Sequence, residues 1–139
     1  MTVLRPTRRR LFYVPGQRFL VLLPMIAAPV VLAIDLASVA LVHLSLTDDA
    51  GEAGRAGMAR VQFERTATPQ SAEVAYDAAT EVAKVHDIEI DPASFTVYAD
   101  GAVTLKATKR APTLLFKHVP GLKDLTEATE TVTVSRPRW

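Results

Sequence analysis

An apolar run from Phe19 to Leu46, FLVLLPMIAAPVVLAIDLASVALVHLSL, limits what this chain can fold into more than any other feature. Its first 16 residues, Phe19 to Ile34, contain no charged side chain. Extension to Leu41 gives the ~20 residues that a ~30 Å hydrocarbon core requires of a spanning helix. In a chain of 139 residues, what remains beyond the run is one small domain at most, too little to cover such a surface. The run is therefore read as a transmembrane helix. Pro24 and Pro29 would interrupt a helix in water. In hydrocarbon the alternatives leave backbone groups without partners, so a mildly kinked helix is expected.

The formal net charge of +1 hides a division along the chain. Up to Leu46 there are five basic residues, Arg5, Arg8, Arg9, Arg10 and Arg18, against one acid, Asp35. From Thr47 onward, 11 Lys and Arg face 14 Asp and Glu. The arginines directly precede the apolar run, so the positive-inside rule places the N-terminus in the cytoplasm and the C-terminal part outside the cell membrane, with Arg8, Arg9, Arg10 and Arg18 setting that topology. An Arg-rich segment also suits a nucleic-acid tail, but its position against a hydrophobic span argues for topology, and no nucleic acid is expected as a partner. The absence of Cys excludes disulfides and thiolate metal sites. Thr7-Arg8-Arg9-Arg10-Leu11-Phe12 loosely fits a twin-arginine export signal, and Ser38-Val39-Ala40 offers small residues for a signal-peptidase cut after Ala40. Against that cut, the run is longer than the usual signal core, and Asp35 precedes the site.

Asp35 is the residue of the span that needs explaining. It lies 16 residues beyond Phe19, or ~24 Å along a helix, near the outer headgroups. Two readings follow: a carboxylate that reaches the outer interface, or one that pairs with a partner helix and sets its register. Ala33, Ala37 and Ala40, with Ser38, Ala50, Ala53, Ala56 and Gly57 further on, would permit close helix contact with other transmembrane subunits.

Beyond the membrane, Thr47 to Arg65 reads as a continuation of the same helix, ended by Thr68-Pro69. Gly51, Gly54 and Gly57 each cost about 1 kcal/mol relative to Ala in an exposed helix, so this segment should depend on a neighbour. A second helix is expected from an N-cap at Ser71, with Glu73 in its first turn. Its apolar stripe is Val74, Ala75, Ala78, Ala79, Val82, Ala83 and Val85, and it ends near His86 and Asp87. The period then changes. Phe95, Val97 and Ala99, a turn at Asp100-Gly101, and Val103, Leu105 and Ala107 describe a hairpin, and Thr129 to Val134 alternates as a third strand. Pro112 to Leu122 has the apolar content of a short amphipathic helix, closed by Pro120-Gly121. The expected fold class is α+β: a long N-terminal transmembrane helix, then a small exported domain of helices on a three-stranded antiparallel sheet. The expected divisions are a basic leader over 1–18, the span and its outer edge over 19–46, and the extracytoplasmic domain over 47–139.

Chemical motifs are sparse. His43, His86 and His118 are far apart and lack metal-ligand spacing, and no P-loop, GxGxxG or GxSxG motif occurs. The residues thus give no reason to expect an enzyme, a metal, a cofactor or a small-molecule substrate. Glu89 and Asp91 read as ordinary solvated carboxylates. Lys106, Lys109, Arg110, Lys117 and Lys123 read as a solvated strand face, or else as a basic patch for an anionic partner such as lipid headgroups, wall polymer or DNA.

Taken in order, the basic leader, Gly16, the span with Asp35 near its end, Leu46 followed by Asp48-Asp49-Ala50, "DGAVTLKATKRAPTLLFKHVPGL" and the final "ATETVTVSRP" resemble the actinobacterial branch of the TadE/TadG-like proteins of tight-adherence pilus systems. The resemblance covers nearly the whole chain. It implies a minor pilin or pseudopilin-like protein with a membrane-anchored helix and a small exported α+β domain, acting without catalysis in pilus assembly alongside other pilin-like subunits. It also implies that Asp35 matches the family's acid after the span. Prepilin-type processing after Gly16 would put Val21 at the fifth mature position, where TadE-type pilins carry Glu, so TadG-like proteins are the closer comparison. Two readings compete with the pilin-like one: an anchored extracytoplasmic binding module, and an accessory subunit of another membrane complex.

Overall fold

A computed structural model describes residues 17–62 and 68–136, with side chains from Leu22 onward. Helix α1 (Gln17–Val61) has 45 residues, a length of ~68 Å at 1.5 Å per residue. It continues unbroken through Pro24 and Pro29 and through the three glycines. It is long and apolar enough to cross a membrane. From Leu22 to Ile34 its side chains are exposed apart from a half-buried Val31. Beyond that point Asp35, Val42, Leu46, Ala50, Ala53, Gly57 and Val61 are buried. They are spaced three, four or seven residues apart and so form one stripe down the helix. The helix therefore changes character along its length, bare from Leu22 to Ile34 apart from Val31 and buried along one face from Asp35 onward. The head consequently begins earlier than the expected division at residue 47, because Leu46 and Val42, at 1% and 7% exposure, already belong to its core.

Helix α2 (Pro69–Val85) starts on a capping box. The Thr68 hydroxyl accepts from the Ser71 N–H at 3.1 Å, and the Ser71 hydroxyl accepts from the Thr68 N–H at 2.8 Å. Thr68 is thus the N-cap, and Ser71, the expected cap, occupies the third helical position. The physical reason is Pro69: lacking an N–H and fixed near helical φ, it suits the first position of a helix. Thr68-Pro69 therefore opens the second helix instead of closing the first. The buried stripe is narrower than expected. Ala75, Ala78, Ala79 and Ala83 face inward, whereas Val74 and Val85 are exposed. His86 caps the far end, and Asp87 turns the chain at φ 54°.

The sheet contains β1 (Ile88–Ile90), β2 (Thr96–Val97), β3 (Val103–Arg110) and β4 (Glu127–Val134), with β3 antiparallel to the other three. β4 pairs with β3 along its full length, from Val103 opposite Val134 to Arg110 opposite Glu127. The other edge of β3 is shared end to end. β1 places Ile88 opposite Lys109, and β2 places Val97 opposite Val103. Four strands thus fill three positions, and β1 was not foreseen because three residues are too few to show a period. Between β1 and β2, Pro92–Ser94 forms a 3-10 turn. There Lys106 N–H donates to the Ser94 hydroxyl at 2.9 Å, and its carbonyl accepts from Asp91 N–H at 3.0 Å, so the break leaves no ladder group unpaired. The hairpin turn includes Ala99, which was expected in a strand: Gly101 N–H donates to Tyr98 carbonyl at 2.8 Å, and Gly101 takes φ 79°. The segment after β3 forms two 3-10 turns, Phe116–His118 and Lys123–Thr126, in place of the expected amphipathic helix. Its two prolines and Gly121 leave no room for a longer helix.

The helices cover one face of this sheet, where Leu105, Ala107, Ile88, Ile90 and Ala128 are buried against α1 and α2. The opposite face carries threonines, with Thr104 and Thr133 hydroxyls 2.7 Å apart and those of Thr108 and Thr129 3.2 Å apart. Tyr76 of α2 meets Phe95 edge-on, ring centres 5.3 Å apart. The neighbour that the glycine-bearing part of α1 was expected to need is supplied by this head. A Cβ on Gly57 would stand 2.9 Å from the Ala75 carbonyl oxygen, and one on Gly54 would stand 2.7 Å from a Val134 methyl. Gly51 is different, since its added Cβ would meet only an Arg55 nitrogen at ordinary contact distance, 3.5 Å. In thermal unfolding of the detergent-solubilised chain, Gly57→Ala should therefore lower the midpoint, because α2 backbone must move. Gly51→Ala should raise it by the helix-propensity gain of up to about 1 kcal/mol.

Candidate functional site

The junction of bare and covered helix is where the chain invests its most specific polar contacts. Asp35 is fully buried, at 0% exposure. One carboxylate oxygen accepts from Leu114 N–H at 2.7 Å, and the other accepts from Leu115 N–H at 2.7 Å and Phe116 N–H at 3.0 Å. Three successive backbone donors converging on one anion form a nest. Its geometry comes from the loop itself, where Leu115 is in the helical region and Phe116–His118 makes a 3-10 turn. Phe116 is buried beneath the loop, whereas Leu114 and Leu115 remain exposed. Each partner removes the other's penalty. A buried carboxylate without donors is very costly, and a buried run of N–H groups without an acceptor is nearly as unwelcome.

The structure gives Asp35 a partner within its own chain, which neither reading of the sequence named, the carboxylate at the outer interface or the one paired with a partner helix. Ala33, Ala37 and Ala40 lie on exposed flanks of α1, while Ala50, Ala53 and Gly57, grouped with them as helix-contact residues, are buried within the head. Arg18 falls in the first turn of α1, and Arg8, Arg9, Arg10 and Gly16 lie outside the described residues. His43 and His118 are exposed.

A second polar cluster lies on the seam between α1, α2 and β3. Lys109 Nζ donates to Asp49 Oδ2 at 2.6 Å and reaches Ser45 Oγ at 3.5 Å. His86, at the end of α2, stands 3.4 Å from Asp49 through Nδ1 and 3.4 Å from Glu52 through Nε2. Lys109 and Asp49 are only 18% and 16% exposed, so this pair is partly shielded from solvent and holds α1 in register on the sheet. Lys109 therefore belongs neither to a solvated strand face nor to a basic patch at the sheet end. Of the others, Lys106 is exposed on the threonine face, Arg110 pairs with Glu127 at 3.2 Å, and Arg110, Lys117 and Lys123 line an open cleft together with Asp124 and Glu127. That cleft carries both signs of charge.

The loop was the functional element that sequence reasoning misjudged. Its signal was present, because Leu114-Leu115-Phe116 is too apolar for an ordinary surface connection, but the apolar content was read as a helix face. The Lys109–Asp49 contact joins residues 60 apart and left no local signal.

Fold and site together define a small α+β head built on the C-terminal half of one long helix, with the stretch from Leu22 to Ile34 left largely bare and apolar. No protein-family model, curated protein or solved structure matches this chain.

Asp35→Ala should strip the acceptor from three donors and free the loop, seen as faster hydrogen exchange at Leu114–Phe116 and earlier proteolysis between Pro112 and Leu125, with α1 helicity retained. Asp35→Asn keeps one acceptor oxygen and should fall between the two. Lys109→Ala should cost about 2 kcal/mol, the scale of a charge-assisted hydrogen bond, in denaturant unfolding of the head.

Proposed function

We propose that this chain is a single-pass membrane protein with its N-terminus in the cytoplasm and its head outside, acting without catalysis as a minor pilin or pseudopilin-like subunit of a tight-adherence type assembly. The observation that carries the reading is α1 itself. One unbroken helix supplies both an apolar span and the spine of the head, so force or position at the membrane passes to the head without a flexible joint. The arginines before the span support the orientation. The Asp35 nest supports retention of the span, since a cut after Ala40 would remove the acceptor for Leu114–Phe116. The exposed small residues Ala33, Ala37 and Ala40 leave a helix flank open to other membrane subunits.

The test combines intact mass with deletion. Protein extracted from isolated membranes should retain the segment through Ala40, protease added outside the cell should remove the head, and deletion of the gene should abolish surface fibres or release other pilin-like subunits from the membrane fraction. Loss of residues through Ala40 in the mature protein would leave a soluble exported domain and defeat the proposal. Retention of the anchor with fibres intact and no co-purifying membrane subunits would favour the anchored binding module.

A further inference from the structure

We infer that the loop from Pro112 to Leu125 is a second membrane contact, a collar seated in the outer leaflet around the exit point of α1. This deepens the proposed function and rests on α1 being a membrane span. With Arg18 at the inner headgroups, a ~30 Å hydrocarbon layer takes up ~20 residues at 1.5 Å each and ends near Ser38. Asp35 then lies about 5 Å below the outer hydrocarbon edge. The nest contacts fix the backbone of Leu114, Leu115 and Phe116 at that same depth, so the loop cannot stand clear of the bilayer that the helix crosses.

The loop is built for such a place. Leu114, Leu115, Val119 and Leu125 are 55%, 41%, 41% and 52% exposed, an apolar surface that nothing in the head covers. It adjoins the bare apolar helix and extends the same lipid-facing surface outward. Seven of its backbone donors have partners within the chain. The N–H groups of Leu114, Leu115 and Phe116 go to Asp35, and those of His118, Val119, Leu122 and Leu125 go to loop carbonyls three residues back. Irregular backbone at membrane depth is tolerated where its polar groups find partners, and this loop meets that condition for these donors. Lys117 and Lys123 are exposed among the apolar side chains, placed to reach lipid phosphates while their stems lie along the interface. Asp35 is then the positioning residue that holds the collar to the span.

The chain contains no Cys, so single reporters can be added to the full-length protein. Leu32→Cys, Leu115→Cys and Thr131→Cys, each carrying an environment-sensitive fluorophore, would be reconstituted in phosphatidylcholine/phosphatidylglycerol vesicles containing brominated lipid. Position 32 should be quenched by deep bromines, position 115 by shallow bromines several-fold more than position 131, and Asp35→Ala should reduce quenching at 115 while leaving 32 unchanged. Quenching at 32 with position 115 indistinguishable from 131 would overturn the collar and leave the span standing. Shielding of 115 from aqueous iodide without lipid quenching would assign the surface to contact with a second copy of the chain, and also overturn it. Absence of quenching at 32 would remove the span and the collar together.

Discussion

Three N–H groups converging on the Asp35 carboxylate form the contact on which the arrangement of apolar helix and head depends. A single acid placed late in an apolar helix leaves few options: it must reach water, find a cation, or be given donors. Here it is given donors by residues 79 to 81 positions away in sequence. The bonds do more than neutralise a penalty. They clamp a loop that follows the central strand β3 onto one azimuth of α1, so that the rotation of the head about the helix and its height along the helix are both specified. Hydrophobic contacts between a smooth helix and a sheet would tolerate sliding by a turn, whereas a nest of directed donors does not.

Below that clamp the helix and the head are joined by contacts of a different kind. Gly54 and Gly57 let β4 and α2 approach the α1 backbone, and Ala50, Ala53, Ala75, Ala79 and Ala83 keep the helix interface thin. Few large side chains are available, Leu46, Leu105 and Val103 being the largest apolar groups fully buried, so close approach has to replace bulk. The partly shielded Lys109–Asp49 pair then fixes the seam at the end of β3 nearest α2. Stiffness follows from this design. An apolar helix that ended short of the head and joined it through a linker would hold it loosely; a helix shared by both parts holds it directly.

Much of the architecture was legible in sequence because it rests on local patterns. The uncharged stretch from Phe19 to Ile34, the alanine stripe of α2 and the alternation in β3 and β4 each report their environment through the period of apolar residues. Two of the misreadings share one cause, which is competition between local signals of similar strength. Thr68-Pro69 can close one helix or open the next, and the capping box with Ser71 decides it. Pro112 to Leu122 is apolar enough for a helix face, yet its donors are used by an acid that no local pattern links to it.

What the sequence determined by itself is that one helix would be long and apolar enough to span a bilayer, that a small α+β unit would follow it, and that an acid would sit near the end of the span. These depend on composition and period over windows shorter than about 20 residues, the range in which burial imprints itself on sequence. Only the tertiary structure decided that the head begins inside the expected anchor, that Asp35 is satisfied by its own chain, that the glycines of α1 are points of close approach, and that Lys109 turns inward to Asp49. Each of these joins residues far apart in sequence, and an atom-to-atom distance between such residues is set by how the whole chain closes on itself.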